Sequence, residues 1–375
     1  MPTQKGESLE ELVRDYFSRQ GFFVLRSIKL LFGDDDVTDV DVWSYGRQSV
    51  NVRTRTIIDV KNKTRPKAFE RILWTRGMQL ALGCDRGVVA TTDNSENAKR
   101  FAKQQNIALL NNRFLERLNI KMEPAERLTL EQFTDFVTAY REHKNDGDWL
   151  KQLVMAKSAL ISLPSFPAFN RTIGIFSFFA SRVQTRTQHR NEVLRCTYLT
   201  AAISCIALDS ALASVVYEDA KSRYKIIVDG ITYGDAGDGK VQRSVNTVLD
   251  LIADSMADGR VIAHKARKAL EDRFRSIRAD VIAEFFSREH NAASLFAVAR
   301  ELEERAHSTL GHSGESLSVE ARAILGVFAD FVGVSRKWLI NGSPNEEPPI
   351  TVELTVGTDP GNPADSQEHG QGRLL

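Results

Sequence analysis

The first 110 residues alternate helical and β-like patterns, and this order of elements constrains the fold more than any other feature of the chain. Strands are predicted over residues 22–32, 37–44, 53–61, 87–91 and 107–110. Helices are predicted over residues 7–19, 66–82 and 95–105. The resulting order, αβββαβαβ, predicts an α/β sheet with helices packed on it.

The pattern changes at about Lys121, after which nearly all periodicity is helical. Helices are predicted over residues 130–141, 149–163, 191–217, 241–258, 261–287, 292–306 and 318–332, and the clearest strand signal lies at 224–228. After residue 340 the chain is rich in Gly, Pro, Asn and Glu and poor in apolar residues. A chain of 375 residues is long for a single core. We therefore predict an α/β domain over residues 1–120, a mainly helical domain over 121–340 and a disordered tail over 341–375.

Cysteine usage and the N-terminus indicate the compartment. Cys84, Cys196 and Cys205 are odd in number and have no paired spacing, which favours free thiols in a reducing environment. The first 11 residues are polar and predict no secretory signal. We therefore expect a cytoplasmic protein. Residues 196–216 include Asp209 and favour a buried helix over a membrane span, so we expect no membrane partner.

Two carboxylates and an amine are predicted to lie on neighbouring strands. Asp59 and Lys61 end the third predicted strand and, as residues i and i+2, leave the same face of the sheet. Asp41, near the end of the second strand, could reach that face. Carboxylates can hold Mg²⁺, and a lysine beside them can orient or deprotonate water. The pattern favours metal-assisted phosphodiester hydrolysis over charged strand ends without a role.

Five short motifs follow one another in the first 115 residues. They are Lys5-Gly6-Glu7-Ser8-Leu9-Glu10, Gly21-Phe22-Phe23-Val24-Leu25-Arg26, Asp41-Val42-Trp43-Ser44, Ile57-Ile58-Asp59-Val60-Lys61 and Gly87-Val88-Val89-Ala90-Thr91-Thr92. In this order, the N-terminal third resembles the PD-(D/E)xK nuclease superfamily, especially its Mrr-type and Holliday-junction-resolvase-like branches. The resemblance implies a restriction-endonuclease-like fold with an αβββαβ core, and it leaves the helical part uncovered.

The resemblance implies a Mg²⁺ or Mn²⁺ site. Asp41 and Asp59 would bind the ion, Lys61 would act on the attacking water, and Glu10 would complete or orient the metal site. A helical wheel at about 100° per residue places Glu10 at the edge of the apolar stripe of the first helix. Glu11 falls on the solvent side of the same wheel, which favours Glu10 as the site residue.

Two further residues are accessory candidates. Asp39 shares a strand face with Asp41 and is an alternative metal ligand. Gln79 lies where some relatives carry a glutamine, and it is either a site residue or a surface residue of a helix. The acid at position 59 is Asp, whereas these branches more often have Glu, and the shorter side chain would shift the metal.

Basic residues cluster around the predicted site. Residues 47–76 contain nine Lys and Arg against two acidic residues, an excess of about seven that would attract a phosphate backbone. The candidates for contacting that backbone are Arg53, Arg55, Lys63, Arg65 and Lys67. We predict DNA as the partner, in restriction, phage defence or DNA repair, and we expect no nucleotide cofactor. Double-strand cleavage would need a homodimer or two binding events.

Two other functions stay open at this point. One is a nucleic-acid-binding protein that keeps the nuclease fold without catalysis. The other is an interaction protein whose helical domain is the functional part. The presence of all the acidic and lysine positions favours the nuclease over the first alternative.

Overall fold

A computed structural model of the protein describes residues 5–33, 35–62, 67–120, 127–256, 258–309 and 317–340. The segment predicted to be a disordered tail, residues 341–375, lies outside the described residues. Two of the basic residues predicted to contact DNA, Lys63 and Arg65, also lie outside them.

One mixed sheet forms the centre of the N-terminal part. Its strands are β1 (Phe23–Phe32), β2 (Asp35–Arg47), β3 (Arg53–Lys61), β4 (Arg86–Thr91) and β5 (Ile107–Leu110), and they lie in that order across the sheet. β1, β2 and β3 pair antiparallel, whereas β4 joins β3 and β5 joins β4 in parallel. The predicted αβββαβαβ order and the restriction-endonuclease-like fold are confirmed.

Helices flank this sheet and make up most of the remaining described chain. In the N-terminal part they are α1 (Lys5–Arg19), α2 (Ala68–Ala81), α3 (Glu96–Gln104) and α4 (Asn112–Ile120). The later helices are α5 (Leu130–Thr138), α6 (Trp149–Ser162), α7 (Ser165–Thr185), α8 (Arg190–Leu212), α9 (Ala220–Tyr233), α10 (Asp238–Ser255), α11 (Gly259–Ser276), α12 (Ala279–Phe286), α13 (Glu289–His307), α14 (Val319–Val332) and α15 (Arg336–Ile340). The prediction of a mainly helical C-terminal region is confirmed.

The two faces of the sheet pack against different partners because side chains alternate along each strand. Ile58 and Val60 of β3 point to one face, where they pack with Val13 of α1 and Leu115 of α4. Ile57 of β3 points to the other face and belongs to the large core formed by the later helices. The sheet is thus covered on both faces.

Helix α8 lies at the centre of the helical region. With the short turns at its ends it forms, among the described residues, the one helical stretch long and apolar enough to span a membrane, residues 187–215. Within the most apolar part of that stretch, 83% of the residues are buried inside the protein. The three cysteines are free, as predicted, and all three are buried.

Three details of the helical region differ from the sequence prediction. The strand predicted at 224–228 is part of α9, where Ile227 and Ile231 bury the same helical face at a spacing of four residues. The single helix predicted over 261–287 is two helices, because Ile277 adopts an extended conformation with ψ of 110°. Helix α7 was not predicted. The proposed domain boundary at residue 120 stays a prediction.

Candidate active site

The candidate site lies where β2 and β3 separate. Their ladder ends at the pair Val42 and Ile58. Asp41 lies just beyond this pair, immediately before Val42 in β2. Its carboxylate accepts a hydrogen bond from the backbone N–H of Val60, with 2.7 Å between N and Oδ2. The Asp41 side chain therefore satisfies a backbone donor that the diverging strand no longer pairs. This bond fixes the carboxylate at the point where the sheet opens.

Asp41, Asp59 and Lys61 converge at this opening. The Lys61 Nζ lies 3.1 Å from Oδ2 of Asp41 and 3.6 Å from Oδ1 of Asp59. Asp59 is almost fully buried, with 3% of its surface exposed, whereas Lys61 is partly exposed. One amine thus bridges two carboxylates on neighbouring strands, the arrangement that the strand alternation indicates. The chemical roles of the three residues stay predictions.

Arg71 is a further member of the site that sequence reasoning missed. It belongs to the first turn of α2, and its Nε lies 2.8 Å from Oδ2 of Asp59 while its Nη2 bonds to Oδ1. The guanidinium also lies over the ring of Trp74, 4.4 Å from its centroid. The sequence signal was the basic excess of residues 47–76, which includes Arg71 but does not single it out.

Glu10 reaches the same region from α1 and is held by an arginine. The Arg26 Nη2 lies 3.0 Å from Oε2 of Glu10 and 2.9 Å from Oε1 of Glu131 on α5. Glu10 lies close enough to Asp41 and Lys61 for their charges to act on its pKa. Arg26 therefore connects the helical region with the edge of the candidate site.

Glu11 is not on the solvent side of α1, and that expectation is wrong. It is 8% exposed, and its carboxylate bonds to Arg14 Nε at 2.5 Å and to Arg26 Nη1 at 2.9 Å. The wheel prediction failed because a further element covers this side of α1. Arg127, which precedes α5, lies 3.9 Å from the Glu11 carboxylate and pairs with Glu303 of α13.

The acidic groups of the site crowd one another in a partly buried space. Burial raises the pKa of Asp41 above its usual range, and the charge of Asp59 adds to that effect, whereas the Val60 N–H and Lys61 oppose it. Burial also raises the pKa of Glu10, with a smaller contribution from Asp41 and opposition from Arg26. A bound cation would favour the charged form of both carboxylates.

Residues 2–118 match the family model of the Mrr-type restriction endonuclease catalytic domain. The N-terminal region therefore matches the PD-(D/E)xK superfamily. The match stops there, and the helical region lies outside it. Comparisons with curated proteins and with solved structures find no significant match to the chain. The match of this region indicates a nuclease.

The acidic residues of the candidate site fit a hard divalent cation by their chemistry, because carboxylate oxygens are the ligands that Mg²⁺ prefers. Asp41 and Asp59 are the residues that could hold it, with Glu10 nearby. Within the described ranges, no three His, Cys, Asp or Glu side chains lie close enough to hold a metal ion together. Arginines pair with two of the candidate ligands, since Arg71 bonds to Asp59 and Arg26 bonds to Glu10.

The basic residues predicted to contact DNA have different surroundings. Arg53 is largely buried, and its guanidinium bonds to Asp209 of α8. Arg55 donates to the Gly83 carbonyl at 2.7 Å, next to the end of α2. Lys67 is exposed at the start of α2, one turn before Arg71, and pairs with Glu70. Among the described candidates, Lys67 is therefore the one placed to meet a substrate at the site.

The two accessory candidates do not join the acidic cluster. Asp39 is exposed and lies opposite Lys29 in the β1–β2 ladder. Gln79 is buried rather than on the surface, and it donates to the Asp85 carbonyl at 3.0 Å while accepting from Arg76 at 2.9 Å. Gln79 thereby connects α2 with the start of β4. Lys61 pairs with the opposite end of that strand.

Proposed function

We propose that the protein is a divalent-metal-dependent endonuclease that hydrolyses DNA phosphodiester bonds. The observation that carries this proposal is the position of the Lys61 amine, within 3.1 Å of Asp41 and 3.6 Å of Asp59. The match of residues 2–118 to a restriction endonuclease family supports the same reaction class.

The residues have distinct roles in this proposal. Asp41 and Asp59 hold Mg²⁺ or Mn²⁺, with Glu10 as an additional or orienting ligand. When bound there, the ion supplies Lewis-acid activation of the phosphate and of water. Lys61 orients or deprotonates the attacking water, and Lys67 attracts the phosphate backbone, together with Lys63 and Arg65. Cleavage of both strands then requires a second site, from a homodimer or from a second binding event.

The test is plasmid nicking by the full chain in Mg²⁺ or Mn²⁺. We expect Lys61→Ala to slow nicking by about 100-fold or more, because it removes the group that serves the nucleophile. Asp59→Ala should slow it at least as much by removing a metal ligand. The matched controls are Glu96→Ala and Lys99→Ala, an exposed acid–lysine pair on α3 of the same domain. Circular dichroism shows whether each variant is folded.

Retained activity in both Asp59→Ala and Lys61→Ala would contradict the assignment of roles. Wild-type protein that binds DNA but cleaves neither DNA nor RNA under any divalent ion would favour the alternative, a nuclease fold used for binding only. A further pair of variants tests whether Asp41 or Asp39 is the metal ligand. Asp41→Ala should abolish nicking, and Asp39→Ala should not.

A further inference from the structure

The Arg71 guanidinium is bound to Asp59, the carboxylate that the proposed function needs as a ligand of its metal ion. Both oxygens of Asp59 accept hydrogen bonds from the Arg71 guanidinium. The side chain of Asp59 is only 1% exposed, so its oxygens face the protein groups around it. A planar guanidinium fits a carboxylate through two parallel bonds, which makes this a specific pairing.

A divalent cation and Arg71 compete for these two oxygens. A cation bound to Asp41 and Asp59 needs at least one Asp59 oxygen as a ligand. The cation also places two positive charges close to the Arg71 guanidinium. Like charges that lie close together repel strongly in a partly buried site. Lys61 can remain, because its amine contacts Asp41 as well as Asp59. Arg71 forms no ion pair with a second carboxylate in the described part of the site, although the charge of Asp41 acts on it, so Arg71 is the group that must move.

The surroundings of Arg71 give it a place to move to. Its side chain is 23% exposed, whereas that of Asp59 is buried, so the guanidinium lies on the solvent side of the carboxylate. Trp74 lies beneath it at 4.4 Å and keeps the guanidinium ordered through a cation–π contact that does not depend on Asp59. Lys67 lies one turn earlier on the same helix, so the released arginine belongs to a basic edge of α2.

We propose that Arg71 is a substrate-binding residue that Asp59 holds until a divalent cation takes that carboxylate. On release, the guanidinium contacts the phosphate backbone of the nucleic acid at the metal site, where its fork matches two phosphate oxygens. The exchange couples metal binding to substrate binding, because each cation that loads Asp59 frees one arginine. This inference rests on the proposed function.

The test measures binding of Mn²⁺ and of DNA separately on the full chain. Calorimetric titration of Mn²⁺ without DNA should show binding on the order of tenfold tighter in Arg71→Ala than in wild type, since the competing cation is gone. Fluorescence anisotropy of a labelled DNA duplex in Ca²⁺ should show that Arg71→Ala binds DNA more weakly than wild type does. The slope of log affinity against log salt should fall by about one, because one phosphate contact is lost.

Two further variants separate the charge from the local packing. Arg71→Lys keeps a cation but not the fork, so Mn²⁺ affinity should lie between those of wild type and Arg71→Ala. Arg76→Ala is the matched control, because Arg76 lies on the same helix and bonds to Gln79 instead of an acid of the site. It should leave both affinities unchanged.

The outcomes distinguish this inference from the proposed function. If wild type binds Mn²⁺ and Arg71→Ala binds it equally tightly or more weakly, the proposed exchange is overturned, while the metal site stands. Tighter Mn²⁺ binding with unchanged DNA affinity and salt slope overturns the substrate role. Absence of Mn²⁺ binding in wild type and in Arg71→Ala overturns the proposed function and this inference together. Binding in Arg71→Ala alone supports both.

Discussion

At the scale of single residues, buried carboxylates hold arginines that the sequence alone would leave free to bind a substrate. Asp209 is 1% exposed in the last turn of α8, and it accepts hydrogen bonds from Tyr45 Oη at 2.7 Å and from Arg53 Nε at 2.5 Å. Arg47 lies 3.3 Å away. A buried charge of this kind is stable only when several donors surround it. Arg53 is therefore part of the joint between the sheet and the helical core.

Removing the Asp209 carboxylate should destabilise the protein strongly. We expect Asp209→Ala to lower the free energy of unfolding by about 3–5 kcal/mol, because it leaves Arg53 and Arg47 without their buried partner. Urea unfolding followed by circular dichroism measures the loss. The control is Asp330→Ala, whose pair with Arg336 is 33% and 57% exposed and should contribute less than about 1 kcal/mol. Equal losses in the two variants would show that Asp209 is not a structural anchor.

At the scale of elements, the close approach of α2, β4 and β5 depends on a glycine. A Cβ built on Gly87 at the start of β4 would lie 2.5 Å from Cδ1 of Ile107 in β5 and 3.1 Å from Cγ2 of Thr75 in α2. α2 carries Arg71 and Lys67 to the site, so the packing at Gly87 positions the helix whose other end borders Asp59.

Substitutions of two glycines in this region should have opposite effects on stability. Gly87→Val should lower the free energy of unfolding by about 1–3 kcal/mol, because the added side chain overpacks the contact with Ile107 and Thr75. Gly77→Ala should raise it by about 0.5–1 kcal/mol, since Gly77 lies inside α2 with nothing within 4 Å of an added Cβ. Thermal unfolding of both variants beside wild type gives the comparison. Stabilisation by Gly87→Val would refute the close packing.

At the scale of the whole molecule, the sheet and the helices share one core. Seven apolar residues of β1, β2 and β3 are buried together with the apolar residues of α6, α7 and α8. They are Phe23, Leu25, Ile28, Val40, Trp43, Tyr45 and Ile57. Ion pairs reinforce this joint, as Arg26 of β1 binds Glu131 of α5 and Arg53 of β3 binds Asp209 of α8. The described residues up to 340 all fall within a single compact unit, Met1–Ser343.

The N-terminal region should not be stable without the helical region. A fragment of residues 1–127 would expose the seven shared core side chains, each contributing about 1.5–3 kcal/mol when buried. Their sum is comparable to the whole stability of a typical domain, about 5–15 kcal/mol. We expect the fragment to be digested rapidly in limited proteolysis and to lack a cooperative thermal transition. A chain ending at Ser343 is the control and should melt with the full-length protein. A cooperatively folded 1–127 fragment would support two separable domains.

Local patterns predicted much of this architecture. The predicted bounds of β3 and β5 match the structure, and the i, i+2 spacing of Asp59 and Lys61 placed them on one face. These features depend on consecutive residues, whose alternation or helical periodicity is a property of the chain itself. The β-branched run at 226–228 misled the prediction, because the surrounding core favours a helix there.

The sequence by itself determined the order of the elements in the sheet region, the sheet face that carries Asp59 and Lys61, and the resemblance of the N-terminal region to a nuclease family. Only the tertiary structure decided that Arg71 holds Asp59, that Arg53 serves Asp209, and that Glu11 is buried. The physical reason is that an ion pair depends on which element, often more than a hundred residues away, covers a charged side chain. No local periodicity carries that information.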